Sequence, residues 1–257
     1  MPTSTAPDSP AGPDAGRIAD RVAAVRSRVA DAARAAGRAP GDVRLLVATK
    51  TQEAGAVLAA VDAGVGLIGE NRVQELVAKA PDLAGRVAAG VLEVHMIGHL
   101  QRNKINQMLP TVTGIETVDD LRLAEALSAR RTGDDAPLDV MVQVNVSGEE
   151  SKSGVVPEAA GALARDVAAL PGLRLTGFMT IGARLTPHGE RAGDAAIRAG
   201  FARLREIRDE VLASGAPGTA DARELSMGMS ADLDLAIAEG ATIVRVGTAI
   251  FGARPTP

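Results

Sequence analysis

From Gly16 to Gly37 the apolar residues Ile18, Val22, Val25, Val29 and Ala33 recur at three- and four-residue steps, with Arg and Asp between them. That spacing predicts an amphipathic helix. After the turn-forming Arg38–Gly41 the pattern changes to a short, β-branched apolar run, Val43–Thr49, the mark of a buried strand. The alternation then repeats. Strand-like runs are predicted near 66–69, 92–97, 112–117, 138–146, 173–181, 223–227 and 242–246. Helix-like stretches are predicted near 54–63, 71–80, 102–108, 119–131, 157–169, 190–213 and 230–238. Short apolar strands alternating with helices imply right-handed βαβ units and a helix-covered parallel sheet. Eight repeats in a chain of this length predict a closed (β/α)8 barrel, an α/β fold of one domain over residues 15–257. The segment after the last strand is too short for a full helix, so the N-terminal helix is expected to fill that place in the outer ring. Residues 1–14, rich in Pro, Ser, Ala and Asp, supply nothing to bury and are expected to form a disordered tail.

Composition narrows the classes. The chain holds 257 residues and no Cys, which excludes disulfides, thiolate metal sites and a cysteine nucleophile and fits a reducing cytoplasm. A net charge of -4 gives no basic footprint for nucleic acid. No window approaches a membrane span, and the N-terminus has no signal-peptide pattern. A cytoplasmic protein without nucleic-acid or membrane partners is expected.

In such barrels ligands sit at the C-terminal ends of the strands, with phosphate held after strands seven and eight. Only four lysines occur among 28 basic residues, and Lys50 stands at the end of the first strand. Desolvation there would lower the pKa of its amine and suit it to Schiff-base chemistry, although a lysine at a strand end also simply reaches solvent. Ser226-Met227-Gly228-Met229-Ser230 follows strand seven and leads into a helix that Ser230 is placed to cap. Backbone N–H groups in such a turn form a phosphate cradle. Arg245, Gly247 and Thr248 end strand eight with a cation, a close-approach glycine and a hydroxyl. Together with Lys50 across the mouth, these residues suggest a phosphorylated carbonyl compound held at both ends. Asn71, Gln74, His99, Gln101, Asn103, Asn145, Ser147, Lys152, Met179 and Thr180 fall at other strand ends.

Three motifs are set aside. Gly64–Gly69 matches GxGxxG but follows a helix and enters a strand, the reverse of a dinucleotide fingerprint. Gly148–Ser153 lacks the spacing of a P-loop. His95 and His99 are four apart, but Gly98 between them argues against a zinc-binding helix face.

Read as a set, Val47–Lys50, Gly69–Glu75, His95–Lys104, Val142–Ser147 with Glu150–Gly154, Gly177–Gly182, Leu225–Asp232 and Arg245–Gly252 resemble the pyridoxal phosphate homeostasis protein family. The barrel of that family is similar to the N-terminal domain of alanine racemase and to fold-type III pyridoxal phosphate proteins. The resemblance implies that Lys50 carries pyridoxal 5'-phosphate as an internal aldimine. It places Ser226, Met227, Gly228, Arg245, Gly247 and Thr248 at the phosphate end and Asn71 and Met179 near the ring. Whether Arg245 meets the phosphate or the pyridine nitrogen stays open. Arg72 and Met96 stand where family members often carry aromatics, and Gln52 where many have a second lysine. The resemblance implies a non-catalytic carrier that buffers the cofactor and releases it to apo-enzymes by transient contact. Racemisation of amino acids is the alternative, but the two-base reaction needs an acid–base group, usually a tyrosine, on the opposite face, and the chain has no Tyr. A class I aldolase would share the barrel without these motifs. With an aromatic content of 1% and no evident apolar partner patch, a monomer is expected.

Overall fold

The structure, a computed structural model, describes residues 15–131, 136–149, 152–183 and 192–252. The expected N-terminal tail and the motif residues Glu150 and Ser151 lie outside the described residues. Eight parallel strands close into a barrel in sequence order: β1 Arg44–Ala48, β2 Leu67–Glu70, β3 Glu93–Met96, β4 Gly114–Val118, β5 Leu138–Gln143, β6 Leu173–Met179, β7 Glu224–Met229 and β8 Ile243–Val246. Closure is carried by the β1–β8 ladder, which pairs Arg44 to Val47 with Ile243 to Val246 in register.

The period of two in each strand sorts side chains between two cores. Val47, Ile68, Val140, Val142, Phe178, Val244 and Val246 face outward and pack against the helices. Leu46, Leu67, Met141, Met179 and Ile243 face the lumen with Ile97. The lumen is thus filled with side chains and is not a pore.

The outer ring contains α1 Ala15–Ala35, α2 Ala54–Asp62, α3 Val73–Ala88, α4 Ile105–Met108, α5 Leu121–Ser128, α6 Pro157–Ala168, α7 Asp194–Ala213, α8 Leu233–Ala238 and α9 Thr248–Phe251. On α1 all five predicted apolar positions are buried. This helix packs against α2, α8 and α9, closing the ring where the last strand has only the one-turn α9 behind it. On α5 the Asp120 side chain accepts a hydrogen bond from the Leu123 N–H at 2.7 Å, satisfying one orphan donor of the first turn.

Several boundaries differ from expectation for local reasons. The helix expected to stop at residue 80 runs through Pro81 to Ala88, because Leu83 is buried and keeps the amphipathic stripe in place beyond the proline. Strand β5 ends at Gln143, and Val144 makes only an isolated bridge to Val155. Strand β7 runs two residues beyond its predicted end, and α8 starts at Leu233. Ser230 therefore does not cap that helix: Asp232 precedes it and accepts the Met229 N–H at 2.6 Å. Between β7 and β8 the register passes from Ser226↔Ile243 to Met229↔Arg245, so three steps on one strand oppose two on the other. This bulge turns at Gly228, whose φ of +90° favours glycine and whose added Cβ would meet the Ala236 Cβ at 2.5 Å.

Candidate functional site at the barrel mouth

The C-terminal ends of the strands surround a cleft of about 590 Å³. From β1 come Ala48 and Lys50, and from the turns after β2 and β3 come Asn71 and Ile97. The opposite wall is built by Glu149 and Lys152 after β5, Ile181 after β6, and Met229, Ser230 and Ala231 at the end of β7. Arg245, Gly247 and Thr248 complete the ring. A larger hollow of about 710 Å³ lies on the outer surface between α1 and α8, lined mainly by alanines, away from the strand ends.

Seven residues singled out from the sequence therefore meet in one cleft: Lys50, Asn71, Lys152, Ser230, Arg245, Gly247 and Thr248. The structure does not bring Met179, Ser226, Met227 or Gly228 to its lining. Met227 is fully buried in the outer core, where no ligand in the cleft reaches its side chain. On this strand the lining falls on Met229–Ala231, three residues later than Ser226–Gly228 and beyond the bulge at Gly228. Met179 packs in the lumen with Ile97 and Ile181, so it supports two lining residues from below.

Lys50 sits at the second position of a turn closed by the Gln52 N–H donating to the Thr49 carbonyl at 3.1 Å. The third position, Thr51, has φ +63°. For a β-branched residue this is a strained conformation costing about 1–3 kcal/mol, of the kind that persists at functional sites when surrounding contacts impose it. Here the Glu75 carboxylate accepts the Thr51 N–H at 2.6 Å. Asn71 is placed by Gly98, whose added Cβ would come within 2.0 Å of the Asn71 carbonyl oxygen. The Asn71 Oδ1 is buried without a hydrogen-bond partner among the described residues. An orphaned acceptor at the edge of a cleft fits a donor on a ligand.

Arg245 projects into the lumen beneath the cleft. Its NH1 donates to the Ser226 Oγ at 2.8 Å and its NH2 to the Thr180 carbonyl at 2.7 Å. Ser226 in turn donates to Glu116 Oε2 at 2.6 Å, and Glu116 Oε1 lies 2.8 Å from His95 Nδ1. Glu93 continues the chain, 3.8 Å from His95 Nε2 and 2.5 Å from Arg44. Charges thus alternate across the barrel from the cleft to the opposite rim. Burial drives the His95 pKa down, but Glu116 and Glu93 outweigh it and hold it at about 9. Burial raises the Glu116 pKa, and His95, Arg245 and Ser226 overcome that to leave it below the ordinary carboxylate range. Burial alone pulls Arg245 below the usual guanidinium value while Glu116 and Asp232 oppose it.

The cleft lining carries three cations, Lys50, Lys152 and Arg245, against one carboxylate, Glu149, which Lys152 meets at 2.7 Å. The Thr248 and Ser230 hydroxyl oxygens are 3.4 Å apart on the β7–β8 side. Because β1 pairs with β8, Lys50 stands beside this edge and not, as expected from the sequence, across the mouth from it. A cationic, hydroxyl-bearing edge next to an amine suits an anion that also carries an electrophile.

The two histidines and the Asn145–Ser147 loop do not line the cleft. His95 is buried in the lumen, and His99 has an exposed side chain. Asn145 and Ser147 hydrogen-bond within their own loop. Among the described residues no group of three or more His, Asp or Glu side chains is placed to hold a metal ion. Gly64 ends α2 and its motif forms no cradle.

Fold and site together define a (β/α)8 barrel with a lysine, an arginine and two hydroxyls gathered at its C-terminal mouth. The chain belongs to the family described as alanine racemase, N-terminal domain, which matches residues 21–255, and within it to the pyridoxal phosphate homeostasis proteins. A protein of that name from Pseudomonas aeruginosa is 46% identical over 237 residues, 92% of this chain and 96% of that protein. A crystal structure of an unknown protein from Bifidobacterium adolescentis is 50% identical with a TM-score of 0.86, covering 92% of this chain and 95% of that one. PipY from Synechococcus elongatus, solved with PLP bound, is 33% identical with a TM-score of 0.74, covering 91% of this chain and all of that one.

Proposed function

We propose that the protein binds pyridoxal phosphate reversibly on Lys50, buffers it as a cytoplasmic monomer and releases it to apo-enzymes by transient contact, without turnover of its own. One observation carries the reading: Lys50, the orphaned Asn71 oxygen, Arg245 and the Ser230 and Thr248 hydroxyls converge on one cleft. It is supported by the homeostasis proteins to which the chain is similar and by PipY, a relative solved with PLP bound.

The cofactor supplies an aldehyde as electrophile and a phosphate as anchor. Lys50 supplies the amine: its Nζ adds to the aldehyde carbon, the aldehyde oxygen leaves as water, and hydrolysis returns both partners unchanged. Ser230, Gly247 and Thr248 hold the phosphate, and Asn71 borders the ring. Arg245 contributes a fixed positive charge, and Ser226 belongs to the site as the hydroxyl that holds Arg245.

The racemase alternative needs a second acid–base group across the reacting carbon. The chain has no Tyr, His95 is committed to Glu116, and neither His95 nor His99 lines the cleft. These features favour a carrier. The test is the cofactor-to-protein ratio after loading, borohydride reduction and gel filtration. Lys50→Ala is expected to retain no covalent cofactor, and a fully loaded Lys50→Ala protein would overturn the assignment.

A further inference from the structure

Lys79 does not line the cleft, yet it is a buried lysine next to the turn that carries Lys50. It lies on α3, and its side chain is 7% exposed. Its Nζ donates to Glu70 Oε1 at 2.6 Å and to the Thr49 carbonyl at 2.8 Å, with Glu75 Oε2 at 3.9 Å. The two carboxylates reach the same turn. Glu70 accepts the Thr49 hydroxyl at 2.7 Å and the Asn71 N–H at 3.2 Å. Glu75 accepts the Thr51 N–H at 2.6 Å. The backbone on both sides of Lys50, and the start of the Asn71 loop, are therefore tied to one charged cluster centred on Lys79.

We propose that Lys79 is a positioning residue for Lys50: through Glu70, Glu75 and the Thr49 carbonyl it clamps the strained Thr49–Gln52 turn and so aims the Lys50 amine into the cleft. The proposal rests on the reading of Lys50 as the attaching amine. Its physical basis is the left-handed Thr51, a conformation that relaxes once the contacts imposing it are removed. A small rotation at the Lys50 Cα is amplified along a four-carbon stem into a large displacement at Nζ. Stability alone gives a poor account of the arrangement, because a buried ion pair adds little over an apolar replacement of similar volume.

The test compares wild type with Lys79→Met, which keeps the volume and removes the charge, and with Glu75→Ala, which releases only the Thr51 side of the clamp. Two probes are used. Pyridoxal phosphate reports formation of the covalent adduct, followed by absorbance and fixed by borohydride. Pyridoxine phosphate, which has no aldehyde, reports the cleft without Lys50 chemistry. Both variants are expected to bind pyridoxine phosphate as wild type does, while the adduct forms about tenfold to 100-fold more slowly, with an altered pH profile, the scale expected when a reacting group is misplaced by up to about 1 Å. Adduct formation at the wild-type rate and with the wild-type pH profile in both variants would overturn the proposal. If circular dichroism shows Lys79→Met to be unfolded, Glu75→Ala decides the matter alone: a slowed adduct supports the clamp and an unchanged one refutes it. A wild-type protein that binds pyridoxine phosphate but forms no adduct would refute the reading of Lys50 instead.

Discussion

Replacing His95 by Gln removes the one titrating imidazole from the lumen of the barrel and leaves its neighbours in place. In the wild type the ring lies 2.8 Å from Glu116 and 3.8 Å from Glu93, and its pKa stands at about 9 against an ordinary 6.5. The folded state thus favours the protonated ring more than the unfolded chain does. At 1.36 kcal/mol per tenfold, that difference corresponds to about 3 kcal/mol. The sign follows from the raised value: the contribution is fully present below pH 6.5 and is lost as pH rises through about 9. His95→Gln has no such contribution at any pH; it also removes the interactions by which His95 lowers the Glu93 and Glu116 pKa values, while Arg44 still lowers Glu93 and Arg245 and Ser226 still lower Glu116. The unfolding free energy of wild type minus that of His95→Gln is therefore expected to narrow by about 3 kcal/mol on going from below pH 6.5 to above about 9. Urea denaturation across that range measures it directly, and for a chain of this size the gap in Tm is expected to close by roughly 6–12 °C. A gap that stays constant across the range would refute the charged state assigned to His95 and the alternation of charge built on it.

Two further outcomes follow from the site. Gly228→Ala introduces a Cβ at a positive φ and against Ala236, so it is expected to lower stability by about 2–5 kcal/mol, read as a shift in the denaturant midpoint. Arg245→Ala is expected to weaken cofactor retention by about tenfold to 100-fold, the scale of losing one charged partner of the bound anion, without preventing attachment to Lys50. Dissociation after dilution, followed by gel filtration, measures it, and unchanged retention would remove Arg245 from the site.

The strands were legible because most are short apolar runs rich in β-branched residues and bounded by turns, and their number with the intervening helices leaves few topologies other than a closed parallel barrel. Lys50, Asn71, Arg245, Gly247 and Thr248 were legible for a related reason: strand-end positions in such a barrel share one mouth. Ser226, Met227 and Gly228 lie below the lining, which on this strand begins at Met229, and the bulge there is a backbone event that a strand pattern does not record. Met227 faces the outer core because it follows the lumen-facing Ser226 in the alternation of the strand.

Glu116 and Lys79 passed unread although each carried a signal. Glu116 interrupts the apolar Gly114–Val118 run, and a carboxylate in a buried strand demands partners. Those partners come from strands β3 and β7, far away in sequence, so their identity appears only when the barrel closes. Lys79 falls between Leu76 and Leu83 on the buried stripe of α3, where a solvated lysine does not belong. Thr51 gave no signal, since its left-handed conformation is imposed by Glu75 and is not a preference of threonine.

The central claim, that Lys50 is the residue to which pyridoxal phosphate attaches, is tested most directly by reducing the loaded wild-type protein with borohydride and mapping its peptides by mass. One adduct on the peptide containing Lys50, with Lys79, Lys104 and Lys152 unmodified, is the result predicted. An adduct located on Lys152 or distributed over several lysines, or a protein that acquires none, would contradict it.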